Sequence, residues 1–399
     1  MKKRVTTVLI LITIFSLSLA NFVSSYSSIT SSVMKNIKDN KSLKDLISTT
    51  ESSINDNVLG KYKFVEGYGI LQKLMNKNEE NNFEVIKDND GNLQYTYFSG
   101  GPKPVDDFAE RVGRLKSYVG SDTKVTVLMP PDKFLKGLTN WEDGMPYSYV
   151  NETADNYIQG VNKLGIYSID FRPMMLNSGL APKDLYYKTD HHWKVETSFR
   201  AFQYLVEKLN ADYNLNLDPN GYYTNLNNYN QINYEQCFIG SQGRKTGIAY
   251  GGLDDFKVIY PKFATSYEFY CSMDDQYEFT KMGSFEETLL DKDSLYKENT
   301  YSGDGDKYST YLFGNKSLEI IKNKSNPKGP RIALIKDSYS VPLAAFLSTV
   351  CSEVQLIDPR YFKGDIAEYI KVRNFDYLFI SIIPSSLTEE FFPYCKEDK

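Results

Sequence analysis

The chain contains 399 residues, of which 41% are hydrophobic and 24% are charged. This balance is typical of a folded globular protein and excludes disordered, collagen-like and strongly basic nucleic-acid-binding chains. With 46 Lys and Arg against 51 Asp and Glu, the net charge of -5 favours neither a nucleic acid nor an anionic membrane surface as partner. The length fits roughly two to three domains, or one large α/β domain with an insertion.

The first residues have the layout of an export signal. Lys2, Lys3 and Arg4 precede an apolar stretch, and Ser18-Leu19-Ala20 resembles a cleavage site for a signal peptidase. The apolar stretch is also long enough to span a bilayer. We therefore predict a signal peptide or membrane anchor over residues 1–25, followed by a polar stalk over residues 26–60. The protein is expected at the outer face of the cytoplasmic membrane, or outside the cell if the signal is cleaved.

Four cysteines are spread along the chain at Cys237, Cys271, Cys351 and Cys395. Their spacing fits neither a disulfide-stapled mini-domain nor a CxxC zinc site. Cys351 follows an apolar run and is interpreted as a buried small hydrophobe. A single bridge between Cys237 and Cys271 stays open at this point.

Residues 61–399 alternate between helical and strand patterns, with an irregular Tyr- and Asn-rich part over about 211–328. Helices are recognised by apolar residues three and four apart, and buried strands by short β-branched runs. The predicted elements are a hairpin over 83–97, helices over 106–119, 154–164, 192–210, 341–350 and 366–372, and strands over 124–129, 165–171, 331–336, 354–357 and 377–383. This order predicts an α/β fold with a mostly parallel central sheet between two layers of helices, carrying an insertion at about 211–328.

The only two histidines are adjacent, in the pentad Thr189-Asp190-His191-His192-Trp193. Any proton transfer by imidazole near neutral pH must therefore use this segment. Asp190 lies two residues before His192, close enough to hold the imidazole N–H and fix its tautomer. The same residues could instead cap a helix, and Asp190 with the two histidines could contribute to a metal site that carboxylates would complete.

A second polar segment follows a buried strand. Ile332–Ile335 is apolar, and Lys336-Asp337-Ser338-Tyr339-Ser340 comes directly after it. Parallel sheets place their ligands at the carboxyl ends of the strands, so Ser338 is expected at an exposed strand end before a helix. The helix N-terminus offers N–H groups to an oxyanion, although Ser338 or Asp337 could also be a plain helix cap.

These two motifs resemble the DHHW protein family, which is similar to the alginate O-acetylation proteins of the AlgX/AlgJ type. The resemblance implies a three-layer SGNH-hydrolase-like fold with Ser338 as nucleophile, His192 as base and Asp190 as its orienter. His191 corresponds to the variable position of the motif. In chain order Asp190 and His192 precede the serine, as in the alginate group and unlike the simple SGNH esterases.

The sequence departs from the SGNH pattern at Lys336, where most members have glycine before the Asp-Ser pair. Candidates for oxyanion or substrate binding are the Tyr339 or Ser338 backbone N–H and Gly314-Asn315, with Gly251-Gly252 second. His191 and Trp193 are further candidates within the motif. Arg360, in Asp358-Pro359-Arg360 after the next strand, is expected in an ion pair or at the substrate.

The export signal and the two motifs, together with what the resemblance implies, predict an exported O-acetyltransferase that modifies a polysaccharide through an acetyl-serine intermediate, without cofactor or metal. The resemblance implies a membrane-bound O-acyltransferase as the partner that supplies acetyl groups. Two alternatives stay open. One is a carbohydrate acetyl esterase of the same fold. The other is a non-catalytic glycan-binding or scaffold protein, and Lys336 in place of glycine is the feature that supports it.

Overall fold

The structure is a computed structural model that describes residues 2–38, 42–80, 82–97, 99–274, 276–297, 301 and 305–396. The chain divides into two compact units, residues 1–71 and 72–399.

The helices are α1 (Lys2–Lys38), α2 (Leu43–Asp56), α3 (Lys61–Leu74), α4 (Asp106–Val119), α5 (Val150–Lys163), α6 (Arg172–Leu176), α7 (Pro182–Leu185), α8 (Val195–Tyr213), α9 (Ser241–Thr246), α10 (Ile248–Gly251), α11 (Phe285–Thr288), α12 (Asp293–Tyr296), α13 (Ser340–Leu347) and α14 (Ile366–Lys371). Short 3₁₀ helices cover Leu226–Asn228, Lys307–Thr310, Pro384–Ser386 and Glu389–Phe391. The strands are β1 (Glu79–Glu80), β2 (Val85–Lys87), β3 (Leu93–Tyr95), β4 (Lys124–Met129), β5 (Tyr167–Asp170), β6 (Tyr229–Phe238), β7 (Asp254–Pro261), β8 (Tyr267–Ser272), β9 (Glu278–Gly283), β10 (Leu318–Asn323), β11 (Arg331–Lys336), β12 (Glu353–Ile357) and β13 (Tyr377–Ser381).

The first unit is helical. Within it, α2 packs on the C-terminal half of α1 through polar side chains: the Asn57 amide donates to Ser28 Oγ at 3.1 Å, and Ser53 Oγ lies 3.0 Å from Ser32 Oγ. Arg4–Lys38 is the one helix in the described part of the chain that is long and apolar enough to cross a membrane. A signal sequence and a membrane anchor share this property, so the compartment prediction is supported in its general form.

The second unit is built on an eight-stranded sheet with the order β5-β4-β13-β11-β12-β10-β8-β9. The first five strands are parallel, and β10, β8 and β9 extend the sheet in antiparallel fashion. The predicted mostly parallel sheet is confirmed. Strand β11 lies near the centre of the sheet, between β13 and β12, and Ser338, the predicted nucleophile, lies just beyond its carboxyl end.

Helices cover both faces of the parallel strands because the strand residues are apolar on both sides. Along β11, Ile332 and Leu334 belong to the core shared with α8 and α13, whereas Ala333 and Ile335 belong to the core shared with α4, α5 and α14. The alternation has the period of two that a strand imposes on its side chains. The three-layer α/β/α architecture follows from this double burial.

The predicted elements match the structure closely, and α4, β4 and β11 agree at both ends. Helix α8 begins at Val195 and not at His192, because the preceding motif is held as a loop. It continues to Tyr213, where Asn214 adopts a left-handed conformation (φ 53°) typical of a helix C-terminus. Between α8 and β11 the chain forms the β6–β7 ribbon, α9 to α12 and the three antiparallel strands.

Candidate active site

Ser338 lies in the tight turn that joins β11 to α13. Asp337 Oδ1 accepts the Tyr339 N–H at 3.0 Å, and Asp337 Oδ2 accepts the Ile383 N–H at 2.7 Å. The Asp337 side chain thereby fixes the turn to the segment after β13. Burial raises the pKa of Asp337 to about 6, although its two backbone N–H donors oppose the shift.

The three residues predicted as a triad are in hydrogen-bond contact. Ser338 Oγ lies 2.6 Å from His192 Nε2, and His192 Nδ1 is bonded to Asp190 Oδ1. With the proton on Nδ1, His192 donates to the carboxylate and accepts the Ser338 hydroxyl proton at Nε2. Asp190 and His192 are almost fully buried, with relative exposures of 1% and 6%. This chain of bonds can raise the nucleophilicity of Ser338 by removing its proton during attack.

Asp190 is held in its charged form. Burial favours the neutral acid, but the imidazoles of His192 and His191, together with hydrogen bonds, keep the pKa of Asp190 well below its usual range. The Ser241 N–H at the start of α9 donates to Oδ2 at 2.6 Å, and the His192 N–H donates to Oδ1 at 2.9 Å. Asp190 can therefore stabilise the imidazolium that forms when His192 takes a proton.

Aromatic rings enclose the imidazole of His192. The Tyr308 ring stacks on it with centroids 3.9 Å apart and planes 13° apart, and the ring of His191 lies 3.9 Å away on a tilted plane. His191 Nδ1 is 2.7 Å from Ser241 Oγ. Desolvation, with the neighbouring His192, lowers the pKa of His191 to about 3, so His191 is neutral at physiological pH.

The two sequence motifs are bonded to each other beyond the triad. The Trp193 indole N–H donates to the Tyr339 carbonyl at 3.1 Å, and the Tyr339 hydroxyl donates to the His191 carbonyl. Trp193 and Tyr339 are both fully buried. These two side chains thus hold the segment of His192 and the segment of Ser338 at a fixed distance. The predicted role of Tyr339 was a different one, in which its backbone N–H donates to the oxyanion.

Several residues that the sequence analysis did not single out hold the loop Asp190–His192 in place. The buried Lys133 ammonium donates to the carbonyls of Lys188 and Asp190, both at 2.9 Å, and to Gln242 Oε1 at 3.0 Å. Asp254 accepts the N–H groups of Lys188 and Thr189 at 2.6 and 2.7 Å. Lys133 comes after β4. It could therefore have been predicted from the tendency of parallel sheets to place functional residues at the carboxyl ends of their strands, as Ser338 was. Asp254, Ser241 and Tyr308 come from the irregular region and carried no such signal.

A cavity of about 470 Å³ opens over Ser338. Its wall is formed by aromatic rings and charged groups, among them Tyr95, Tyr97, Phe391, Lys245, Arg360 and Glu84. His191 and Asp337 also contribute. The volume falls in the range of small-molecule sites, and the mixture of rings and hydrogen-bonding groups suits a polar ligand with flat apolar faces.

Other predicted residues lie elsewhere. Gly314 and Asn315 are not among the residues that line the cavity, and Asn315 Oδ1 accepts from Lys336 Nζ at 2.7 Å. Lys336 is fully buried, with Nζ 3.5 Å from Asp358 Oδ2. Gly251 and Gly252 lie beside Thr189 and Lys188 and also outside the cavity wall. The four cysteines are free thiols, so the open bridge from Cys237 to Cys271 does not form, and Cys351 is buried as predicted.

Asp190, His191 and His192 lie close enough for their ligand atoms to share a metal ion. In the structure the Asp190 oxygens, both nitrogens of His192 and Nδ1 of His191 already have hydrogen-bond partners within the protein. The bonds among Asp190, His192 and Ser338 are those expected of an acid-base-nucleophile site.

The mostly parallel sheet between two helical layers is an SGNH hydrolase-like fold. Residues 109–231 match the family described as SGNH hydrolase-like domain, acetyltransferase AlgX. The resemblance and the fold predicted from the two motifs are thereby confirmed.

Solved structures share this fold at low sequence identity. A DHHW family protein from Eubacterium siraeum is 19% identical, with 79% of this chain and 96% of that chain covered and a TM-score of 0.59. PatB1 from Bacillus cereus, in a structure with a sulfonyl adduct, is 16% identical, with 78% and 98% covered and a TM-score of 0.61. No protein of curated function matches the sequence.

Proposed function

We propose that this protein is an extracytoplasmic O-acetyltransferase that moves acetyl groups onto a cell-surface or secreted polysaccharide through acetyl-Ser338. The observation that carries the proposal is the unbroken series of hydrogen bonds from Asp190 through His192 to Ser338, which ends in an open cavity. The match of residues 109–231 to an acetyltransferase family supports the same reaction class.

In the first half-reaction, Ser338 Oγ attacks the carbonyl carbon of an acetyl ester while its proton passes to His192 Nε2. The carbonyl oxygen becomes an oxyanion, and the Ser338 N–H is available to it. When the intermediate collapses, the bond to the donor oxygen breaks, and that oxygen leaves with the proton from His192. Acetyl-Ser338 remains, with His192 neutral again.

In the second half-reaction, His192 takes the proton of an acceptor hydroxyl, whose oxygen attacks the acetyl carbon. The bond to Ser338 Oγ breaks, and the proton returns to the serine. A sugar hydroxyl as acceptor gives a transferase, whereas water gives an esterase. Tyr95, Tyr97 and Phe391 in the cavity wall favour the sugar, because aromatic rings pack on the apolar faces of pyranose rings.

The apolar helix Arg4–Lys38 supports a location at the membrane. A domain tethered there can receive acetyl groups that a membrane-bound O-acyltransferase passes across the bilayer. The acceptor then lies on the outer side, in the polysaccharide of the cell surface.

The test is the mass of the full-length protein in detergent after incubation with p-nitrophenyl acetate. We expect one added acetyl group at Ser338, and none in the Ser338→Ala variant. Ser340→Ala is the matched control, because Ser340 Oγ is buried against Ser381 at 2.7 Å, away from the cavity, and this variant should still be labelled.

Cell-surface oligosaccharides are then added to the acetylated protein. Transfer of the acetyl group to sugar supports the transferase, and release of free acetate alone identifies the esterase. Folded wild-type protein that takes no acetyl group from several donors would overturn the proposal and leave the glycan-binding module.

A further inference from the structure

The nucleophile turn offers few hydrogen-bond donors to an oxyanion. The Tyr339 N–H, one of the two backbone groups expected there, is bonded to Asp337 Oδ1 at 3.0 Å. The Ser338 N–H has no partner in the described part of the chain. Serine acyl-transfer sites normally direct at least two donors at the oxyanion, so a further donor is needed beside the Ser338 N–H, and a side chain in the cavity wall can supply it.

Arg360 and Ser338 follow neighbouring strands at the same edge of the sheet. Strands β11 and β12 are parallel neighbours, with Ile335 opposite Ile357. Lys336 and Asp358 are the next residues of the two segments, and Ser338 and Arg360 lie two residues further on. Lys336 Nζ lies 3.5 Å from Asp358 Oδ2, and both Ser338 and Arg360 line the cavity.

The guanidinium of Arg360 is held so that one nitrogen stays available. Nε and Nη2 donate to the two oxygens of Asp358 at 2.9 and 2.7 Å. Nη1 has no partner among the described residues, and the guanidinium carbon lies 4.7 Å from the Phe391 ring centroid. The side chain is about a quarter exposed, so its charge is only partly hydrated.

A buried network fixes Asp358 in turn. Asp358 is fully buried and lies 3.5 Å from the Lys336 ammonium, which also contacts Asn315 at 2.7 Å and Glu319 at 3.7 Å. Lys336 stands where most SGNH enzymes have glycine. In this protein the buried Lys336 side chain contacts Asp358, and Asp358 in turn holds the guanidinium of Arg360 at the cavity.

We propose that Arg360 is the second oxyanion donor of this site, and that Lys336 is a positioning residue which holds it through Asp358. This inference rests on the proposed acetyl transfer. As Ser338 Oγ adds to the acetyl carbon, the carbonyl oxygen gains the negative charge and receives hydrogen bonds from the Ser338 N–H and Arg360 Nη1. No proton leaves the guanidinium, because the proton transfers run through His192 alone.

The test measures the rate at which full-length protein in detergent forms acetyl-Ser338 from p-nitrophenyl acetate. This donor has no anionic group, so a loss of rate cannot arise from a lost contact with a substrate carboxylate. We expect Arg360→Gln to acylate about 100-fold more slowly or worse, as for other lost oxyanion donors. Arg360→Lys keeps the charge but not the planar fork, and should lose about tenfold.

The matched control is Arg331→Gln. Arg331 pairs with Glu353 at 2.9 Å at the other end of the same two strands, and its loss should leave the rate within about threefold of wild type. Inactivation by phenylmethylsulfonyl fluoride should slow in parallel with acylation, because a sulfonyl oxygen occupies the position of the oxyanion.

The pH profile separates a donor from a structural support. Loss of an oxyanion donor lowers the acylation rate at every pH without moving its midpoint, whereas disturbance of His192 shifts the midpoint. Acylation of Arg360→Gln at a rate within about threefold of wild type, or a slow rate with a shifted midpoint, would overturn the assignment. If Arg360→Gln fails to fold, the acylation rate and the pH midpoint of Arg360→Lys are measured in its place, and a rate within about threefold of wild type or a shifted midpoint would again overturn the assignment. Failure of the proposed function itself is recognised separately, since wild-type protein would then take no acetyl group.

Discussion

Gly240 approaches Asp190 so closely that a Cβ atom on the glycine would lie 2.1 Å from the Asp190 Cβ and 2.5 Å from its Cα. Backbone atoms cannot yield to such a contact without moving the loop. The Gly240 N–H also donates to Thr189 Oγ1 at 2.9 Å, and the next residue, Ser241, donates to Asp190. A side chain at position 240 would therefore displace the Asp190 carboxylate that is bonded to His192.

The first prediction concerns this contact. Gly240→Ala should destabilise the fold by about 1–3 kcal/mol, the usual cost of overpacking. It should also slow acetylation of Ser338 about 100-fold, because Asp190 is displaced from His192. The melting temperature and the acylation rate measure the two effects. Gly100→Ala is the control, since nothing lies within 4 Å of its added Cβ. An active Gly240→Ala protein would show that the loop relaxes freely.

The second prediction concerns the ring on His192. Tyr308→Phe keeps the stacked ring and should acylate within about threefold of wild type, whereas Tyr308→Ala admits water to the imidazole and should lose about tenfold to 100-fold. Both rates are read from the release of p-nitrophenol. Equal activities for the two variants would mean that the stack does not position His192.

The third prediction concerns Lys133. Lys133→Met removes three hydrogen bonds and leaves the buried Asp190 carbonyl and Gln242 Oε1 without a donor, at about 1–3 kcal/mol for each unsatisfied group. The Lys188 carbonyl keeps the Leu93 N–H at 3.0 Å. We expect a lower melting temperature together with slower acylation, since the Asp190 carbonyl is one of the acceptors. Lys136→Met is the comparison, because Lys136 is exposed and pairs with Glu152 at the surface. Unchanged stability in the Lys133 variant would contradict the supporting role.

The fourth prediction concerns the pH dependence of stability. Burial raises the pKa of Glu319 to about 7, against the attraction of Lys336 and Lys316 and with repulsion from Asp358. The folded state therefore keeps a proton that the unfolded state releases near pH 4.5. Between about pH 4.5 and 7 the folded protein binds more protons, so this group makes the free energy of unfolding fall as the pH rises.

Glu319→Gln should remove that slope. Relative to the variant, wild-type protein should lose up to about 3 kcal/mol on going from pH 4.5 to pH 7. Urea unfolding at a series of pH values measures the difference, with Glu278→Gln on the edge strand β9 as an exposed control. Parallel curves for wild type and Glu319→Gln would refute the assignment.

The fifth prediction concerns the apolar N-terminal helix. Full-length protein should sediment with membranes and resist extraction by high salt, while a variant without residues 2–25 should stay in the supernatant. Sequencing of the N-terminus distinguishes an anchor from a cleaved signal. A mature chain that begins at Asn21 and is found free of membranes would identify a signal peptide.

The spacing of apolar residues was sufficient to predict the helices and strands that depend only on residues close together in the sequence. The helix Asp106–Val119 and the strand Arg331–Lys336 follow from periodicity, and the strand-end rule places Ser338. The adjacent histidines narrowed the choice of base to one segment. His192 could be preferred over His191 only through the family resemblance.

The remaining site residues could not be predicted because their roles depend on contacts between distant segments. Ser241, Asp254 and Tyr308 belong to the irregular region, where no periodicity marks which side chain turns inward. Gly314 and Asn315 were chosen as turn residues, and turn chemistry does not say whether a turn faces the cavity. The Asn315 side chain reaches the correct edge of the sheet but accepts from the buried Lys336 there. The sequence showed Lys336 only as a departure from the family pattern. Its role could not be predicted because its partners, Asp358 after β12 and Glu319 on β10, are distant in sequence.

Strand β13 pairs with β4 on one side and with β11 on the other, so the last strand in the described part of the chain is the middle one of the five parallel strands. During synthesis, Asp190, His192 and Ser338 are therefore all made before the strand that joins β4 to β11. A chain that stops before residue 377 contains the three residues but lacks this strand. We expect such a chain to be inactive, because nothing would then hold Ser338 and His192 at hydrogen-bond distance.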